Sequence, residues 1–391
     1  MYFSADFFDG GIYRRGTRCE KWDGISHDTE REMLPMWVAD MDFPSPPVVQ
    51  EAILRRAAHN AFGYTEVLAD DFSAQADFWK RRHGVSFTEE EMGMLPCVVT
   101  GMKVAINALT SPGDAVVVQP PVYGPFYNSV EENGRIVVKS PLKRGIDSHY
   151  VMDYDDLETK FRQGARLMLL CNPHNPVGRV WRTEELARLF LLLEKYSVTL
   201  VSDEIHGDFV FAPGRFVSVL DAAFTYKRVI SIASASKTFN LAGLQQAAYI
   251  CRDGEIRGLL EKTIAAQGIQ RGNIFALEAT RAAYCHGDDW LDALLAYLEA
   301  GRDLFFGLMK AQLRKAELTP MEGTYLCWVD MRAYGMSSEE LMRRTQAEGL
   351  RVTDGTFFGK EAGEGFIRVN LGCPHRNIEE AVKRLAAAVE V

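Results

Sequence analysis

The chain has 391 residues, 47% of them hydrophobic and 25% charged, a composition that suits a soluble fold of two or more domains. Its net charge of −9 is spread without long like-charge blocks, which argues against nucleic acid or an anionic membrane as the main partner. The seven cysteines are scattered, with no C-x-x-C pair, as expected of reduced thiols in a cytoplasmic protein. No signal peptide is expected, since MYFSADFFDGG lacks a charged-then-apolar leader, and no apolar run reaches membrane-spanning length.

Residues 1–50 read as irregular. Within them LPMWVADMDF (34–43) mixes large apolar side chains with Asp40 and Asp42. It fits either a core-docking arm with capping carboxylates or a loop lining a pocket. Apolar spacing predicts helices over 48–58 and 71–82. From Met94 short strands alternate with helices: a strand over 95–99, a helix from Thr100-Gly101 to Leu109, and strands at 115–119 and 135–138. A strand over 165–171 runs into the turn cluster 172–178, followed by a helix over 183–196. Strands at 198–202, 229–233 and 247–250 complete the series. This alternation predicts an α/β fold with a doubly wound, mainly parallel sheet. After residue 284 the pattern changes to helices at 289–315, 337–348 and 378–389 with strands at 322–330 and 365–370, a smaller α+β unit. The expected division is an N-terminal arm (1–50) packing with the small domain, a large domain (51–284) and a small C-terminal domain (285–391).

Ligands of doubly wound sheets gather beyond the carboxyl ends of the strands. Asn175, Asp203 and Lys237 all fall just past predicted strand ends. An amine placed there is partly desolvated, which lowers its pKa and frees it as a nucleophile. Ser234 and Ser236 flank it with hydroxyls suited to a phosphate. Gly101, opening a helix after a strand, fits an anion site or simply a turn. No H-E-x-x-H, paired Cys/His spacing or G-x-S-x-G elbow occurs, so neither a metal site nor a serine hydrolase is expected.

The motifs NPHNPVG (172–178), DEIHGD (203–208) and SASKTFNLAG (234–243) resemble those of the fold-type-I pyridoxal-phosphate enzymes, the aspartate aminotransferase superfamily. MWVADMDF (36–43), FGY (62–64), PPVYGPF (120–126), EGTYLCWVD (322–330) and GFIRVNLGCP (365–374) resemble its cystathionine β-lyase subfamily of the MalY/PatB type. The resemblance spans nearly the whole chain. It implies pyridoxal 5'-phosphate as cofactor, with Lys237 joined to its aldehyde and later serving as base. It implies Asp203 on the pyridine nitrogen, Asn175 on the ring oxygen after a cis Asn175–Pro176 bond, and Tyr123 stacked on the ring. Gly101, Met102, Lys103, Ser234 and Ser236 would hold the phosphate, as would Tyr64 reaching across a homodimer interface. Arg368 would grip the substrate carboxylate through its planar fork, with Asn175, Ala39 and Asp40 beside the substrate.

Two departures from the superfamily pattern stand out. His206 replaces a common tyrosine near the ring oxygen, which leans toward the lyase branch. Gln245 replaces a common phosphate arginine, a loss that Lys103 is expected to offset in part. The implied reaction is β-elimination from an L-amino acid such as cystathionine or cysteine, giving a thiol, pyruvate and ammonia. Transamination and cofactor-dependent regulation are the alternatives.

Overall fold

The computed structural model of the chain describes residues 3–25 and 32–390, so parts of the predicted arm, residues 1–2 and 26–31, lie outside the described residues. Seven strands form the main sheet, in the order Met92–Leu95, Ala247–Ile250, Val229–Ala233, Thr199–Asp203, Leu167–Cys171, Ala115–Val118, Ile136–Lys139. The last five run parallel, while Ala247–Ile250 is antiparallel to both its neighbours. Three central strands are buried at every position, as strands covered on both faces must be. Successive side chains of a strand feed opposite cores. Leu167, Leu169 and Cys171 pack with the helix Val98–Leu109, whereas Met168 and Leu170 join the larger cluster on the other face.

A four-stranded antiparallel sheet, Glu317–Leu318, Leu326–Asp330, Phe366–Asn370 and Thr353–Asp354, forms the second layer system. It accompanies the helices Asp288–Gln312, Ser338–Ala347 and His375–Val389. The arm reaches this unit through Leu34–Pro35, which pairs in parallel with Leu350–Arg351. No helix among the described residues is long and apolar enough to cross a membrane.

Two predicted boundaries move for local reasons. The strand expected over 95–99 ends at Leu95. Pro96 has no N–H for the ladder, and Cys97 caps a helix that already begins at Val98. The strand expected from Glu322 begins only at Leu326. A side chain at Gly323 would stand 2.5 Å from the Phe209 carbonyl, and Thr324 takes a positive φ of 65°, so 322–325 forms a bend. Helices at Tyr154–Arg162, Gly254–Gln267 and Ile274–His286 occupy stretches that the sequence pattern left unassigned.

Candidate active site

Beyond the carboxyl ends of the parallel strands lies a cavity of about 160 Å³. Larger hollows of about 710 and 360 Å³ exist elsewhere, but neither brings a buried amine to a buried carboxylate. Strand register builds the smaller one. Asp203, the last residue of its strand, stands level with Cys171 on one side and Ile232 on the other. The chain leaving Cys171 turns through a cis Asn175–Pro176 bond, and the chain leaving Ala233 enters the short helix Ala235–Thr238. Asn175, Asp203 and Lys237 therefore line one space, together with His206, Tyr123 and Ser236.

Arg368 comes from the other sheet, at the middle of Phe366–Asn370, level with Trp328 and Thr353. It is 3% exposed. Its Nη1 donates to Asn175 Oδ1 at 3.1 Å, and its Nη2 donates to the Trp37 carbonyl at 2.7 Å and to Thr353 Oγ1 at 3.3 Å. Among the described residues its Nε has no hydrogen-bond partner and no carboxylate pairs with it. A buried guanidinium bonded only to neutral acceptors is primed for an incoming carboxylate.

Burial dominates the electrostatics. It pushes the Lys237 amine down to about 8; Arg368 adds to this, while Asp40 and Asp203 oppose it. The residue keeps some accessible surface because it faces the cavity, yet protein surrounds the amine itself. Burial lifts Asp203 to about 7 against the Ile205 amide, which donates to its Oδ1 at 3.1 Å, and against Lys237. Burial also takes His206 down to about 3, so its ring is neutral at pH 7, and among the described residues its Nδ1 has no partner.

Of the arm, Ala39 lines the cavity. The Ala39 carbonyl accepts from both the Lys237 amine and the Tyr325 hydroxyl. Asp40 gives its carboxylate to Arg14, at 2.9 and 2.8 Å, rather than to the cavity wall.

Several expected residues are not brought to the cavity. Lys103 pairs with Glu132 at 2.6 Å on the outer side of its helix, so it cannot stand in for the arginine replaced by Gln245. Met102 is 1% exposed in the core. Gly101 spends its amide on the Cys97 carbonyl, and a Cβ there would come within 2.7 Å of Leu95. Its role is close helix-to-sheet packing. Because the helix starts at Val98, the amides of Val98 and Val99 are the ones left without intrahelical acceptors, and both residues line the cavity. Ser234 caps the Lys237 helix instead, donating to the Gln246 carbonyl at 2.5 Å and accepting from the Ser236 amide at 3.0 Å. Tyr64 is 94% exposed, its ring under Arg271 and outside the cavity of its own chain.

The sequence reading did not single out Cys97, Val98, Val99 or Tyr325. The prolyl residue before Cys97 was the available signal for the first three. Tyr325 carried none, because its partner Ala39 is remote in sequence.

Residues 31–385 match the family model for aminotransferase class I and II. The chain is 38% identical to cystathionine beta-lyase PatB of Bacillus subtilis, over 98% of this chain and 99% of that protein. It is 30% identical to protein MalY of Escherichia coli, over 98% of each. It also resembles the crystal structure of the PLP-bound C-S lyase from Staphylococcus hominis, with a TM-score of 0.90, 31% identity and 98% of each chain covered. With Lys237, Asp203 and Asn175 lining one cavity and Arg368 bonded to Asn175, the chain belongs to the aminotransferase class I and II family, and within it to the MalY/PatB type of fold-type-I pyridoxal-phosphate enzymes.

Proposed function

We propose that the protein is a pyridoxal-5'-phosphate-dependent carbon–sulfur β-lyase acting on cystathionine- or cysteine-like L-amino acids. One observation carries this reading. A buried amine and a buried carboxylate sit at the tips of adjacent strands, and a buried guanidinium bonded to Asn175 of the same cavity has no carboxylate partner among the described residues.

The donor set fits the cofactor. Lys237 suits its aldehyde, Asp203 its ring nitrogen, and Asn175 and His206 its ring oxygen. The Val98 and Val99 amides with Ser236 suit its phosphate. The His206 Nδ1, without a partner among the described residues, supplies a buried polar atom that a ligand would satisfy. When bound, pyridoxal phosphate supplies an electron sink that stabilises negative charge at the substrate Cα.

The chain's own residues do the rest. Arg368 binds the α-carboxylate and so fixes which Cα bond faces Lys237. The Lys237 amine, its pKa lowered to about 8 by burial so that a fraction is unprotonated near pH 7, takes the Cα proton and returns a proton to the departing sulfur. Asp203 holds a proton between its carboxylate and the ring nitrogen. Tyr123 covers the cavity beside Phe357, at a ring distance of 5.9 Å, and limits water. Water consumed overall converts the remaining three-carbon fragment to pyruvate and ammonia.

A homodimer belongs to this proposal. Tyr64, with Phe62 and Leu68, forms an exposed apolar stretch suited to a second copy, where Tyr64 would reach the partner's phosphate site. A cytosolic location fits the seven free thiols.

The deciding assay supplies L-cystathionine or L-cysteine alone and follows pyruvate and ammonia. Sustained release without any keto acid is expected. A single half-turnover that stalls until a keto acid is added would overturn the lyase reading in favour of transamination.

A further inference from the structure

Four successive carbonyls of Trp37–Asp40 act as acceptors for side chains of the small sheet and the lysine helix. Trp37 accepts from Arg368. Val38 and Asp40 both accept from Asn370 Nδ2. Ala39 accepts from two donors, Lys237 Nζ and the Tyr325 hydroxyl, the latter at 3.0 Å. The far side of this segment is clamped. Arg14 holds Asp40, and the fully buried Lys21 holds Asp42 Oδ2 at 2.7 Å. These clamps fix the course of the segment, while the side-chain donors to the Ala39 carbonyl among the described residues are Lys237 and Tyr325.

Among the described residues the Lys237 amine has no hydrogen-bond partner other than Ala39. Tyr325 is fully buried and packs edge-on against Phe209 at 4.9 Å and His206 at 5.9 Å, so its hydroxyl has a fixed direction. We propose that the Ala39 carbonyl, held in aim by the Tyr325 hydroxyl, is where the Lys237 amine docks whenever it is free, which makes Tyr325 a positioning residue for Lys237.

The physical argument concerns one shared oxygen. A buried ammonium has lost its water and needs an acceptor. A carbonyl already bonded to a phenol offers it less electron density than an unshared one. The shared acceptor therefore steers the amine while leaving its grip weak enough to break. Arg368 is held only two residues away on the same segment, so the substrate-carboxylate group and the amine share one support. Asp40, Arg368, Asp203 and Glu20 also act on the amine through their charges, and among the described residues none of them bonds to the Tyr325 hydroxyl, which donates to Ala39. The inference rests on the proposed β-lyase function only for the catalytic value of the free amine.

The test is Tyr325→Phe, which keeps the ring packing. Lys237 is titrated in the cofactor-free protein through the pH dependence of its reductive methylation, read by mass spectrometry. Leaving the Ala39 carbonyl to the ammonium alone favours the charged form, so the labelling midpoint is expected to rise by about half a unit or more. In the loaded enzyme, kcat is expected to fall about tenfold with KM nearly unchanged. Tyr249→Phe, a buried tyrosine of the strand Ala247–Ile250, is the control and leaves the labelling profile as in the wild type. A Tyr325→Phe midpoint that coincides with the wild type or falls below it overturns the proposal, whatever happens to turnover. Labelling needs no turnover, so this outcome is separate from any failure of the lyase reading.

Discussion

Arg368 donates to the side-chain oxygen of Asn175 at 3.1 Å, and that bond joins the four-stranded sheet to a turn of the seven-stranded one. The group suited to the substrate carboxylate and a group suited to the cofactor thus share a hydrogen bond. A carboxylate arriving at Arg368 meets a guanidinium already oriented by its neighbours.

Arg368→Lys should therefore fail despite keeping the charge. An ammonium offers no planar fork, and it cannot reach Asn175, Trp37 and Thr353 in the same geometry. KM for L-cystathionine is expected to rise about 10- to 100-fold, with a smaller fall in kcat, since one or two charge-assisted bonds are lost. Steady-state kinetics check this. An unchanged KM would place the substrate carboxylate elsewhere.

Asp203 makes a pH prediction for the cofactor-free protein. Its folded pKa, about 7, lies above the ordinary carboxylate value because burial disfavours the charge. The folded state thus holds this proton more tightly than the unfolded state. The associated stability is present at pH 4 and is lost as pH rises through 7. Asp203→Asn removes that loss. In urea unfolding the variant is expected to be more stable than the wild type at pH 8 by a few kcal/mol, with the difference shrinking toward pH 4. The same variant should retain pyridoxal phosphate weakly.

Tyr64 lies outside its own cavity, so its contribution should be exchangeable between copies. Lys237→Ala and Tyr64→Ala are each expected to be nearly inactive. Refolding them together in equal amounts makes half the dimers mixed, each with one intact site, which restores about a quarter of wild-type activity. Pyruvate release from the mixture, against each variant alone, reads the result. No recovery would mean that Tyr64 serves its own chain or none.

Lys103 should matter little. Its pair with Glu132 is largely exposed, at 37% and 56% of the side chains. Lys103→Met is expected to leave pyridoxal-phosphate retention unchanged after dialysis and to cost less than about 1 kcal/mol of stability. A marked loss of cofactor would return Lys103 to the phosphate site.

Asn175, Asp203 and Lys237 were legible as a set because each follows a short apolar strand, and strand tips of a parallel sheet share one edge. That inference needs only local periodicity and the turn residues that end each run. Arg368 came from the family resemblance, which its place in the strand Phe366–Asn370 supported. The sequence reading misjudged Gly101, Met102 and Lys103, because the true helix start depends on how Pro96 ends the ladder and Cys97 caps the turn.

By itself, then, the amino-acid order determined the alternating layers and the chemistry at the strand ends, since both arise from neighbours along the chain. Tertiary structure alone decided that a carbonyl at 39 faces an amine at 237 and a phenol at 325, and that Arg368 lies against Asn175. Those contacts join segments hundreds of residues apart. They exist only because two sheets and a clamped arm pack closely enough to strip water from the space between them.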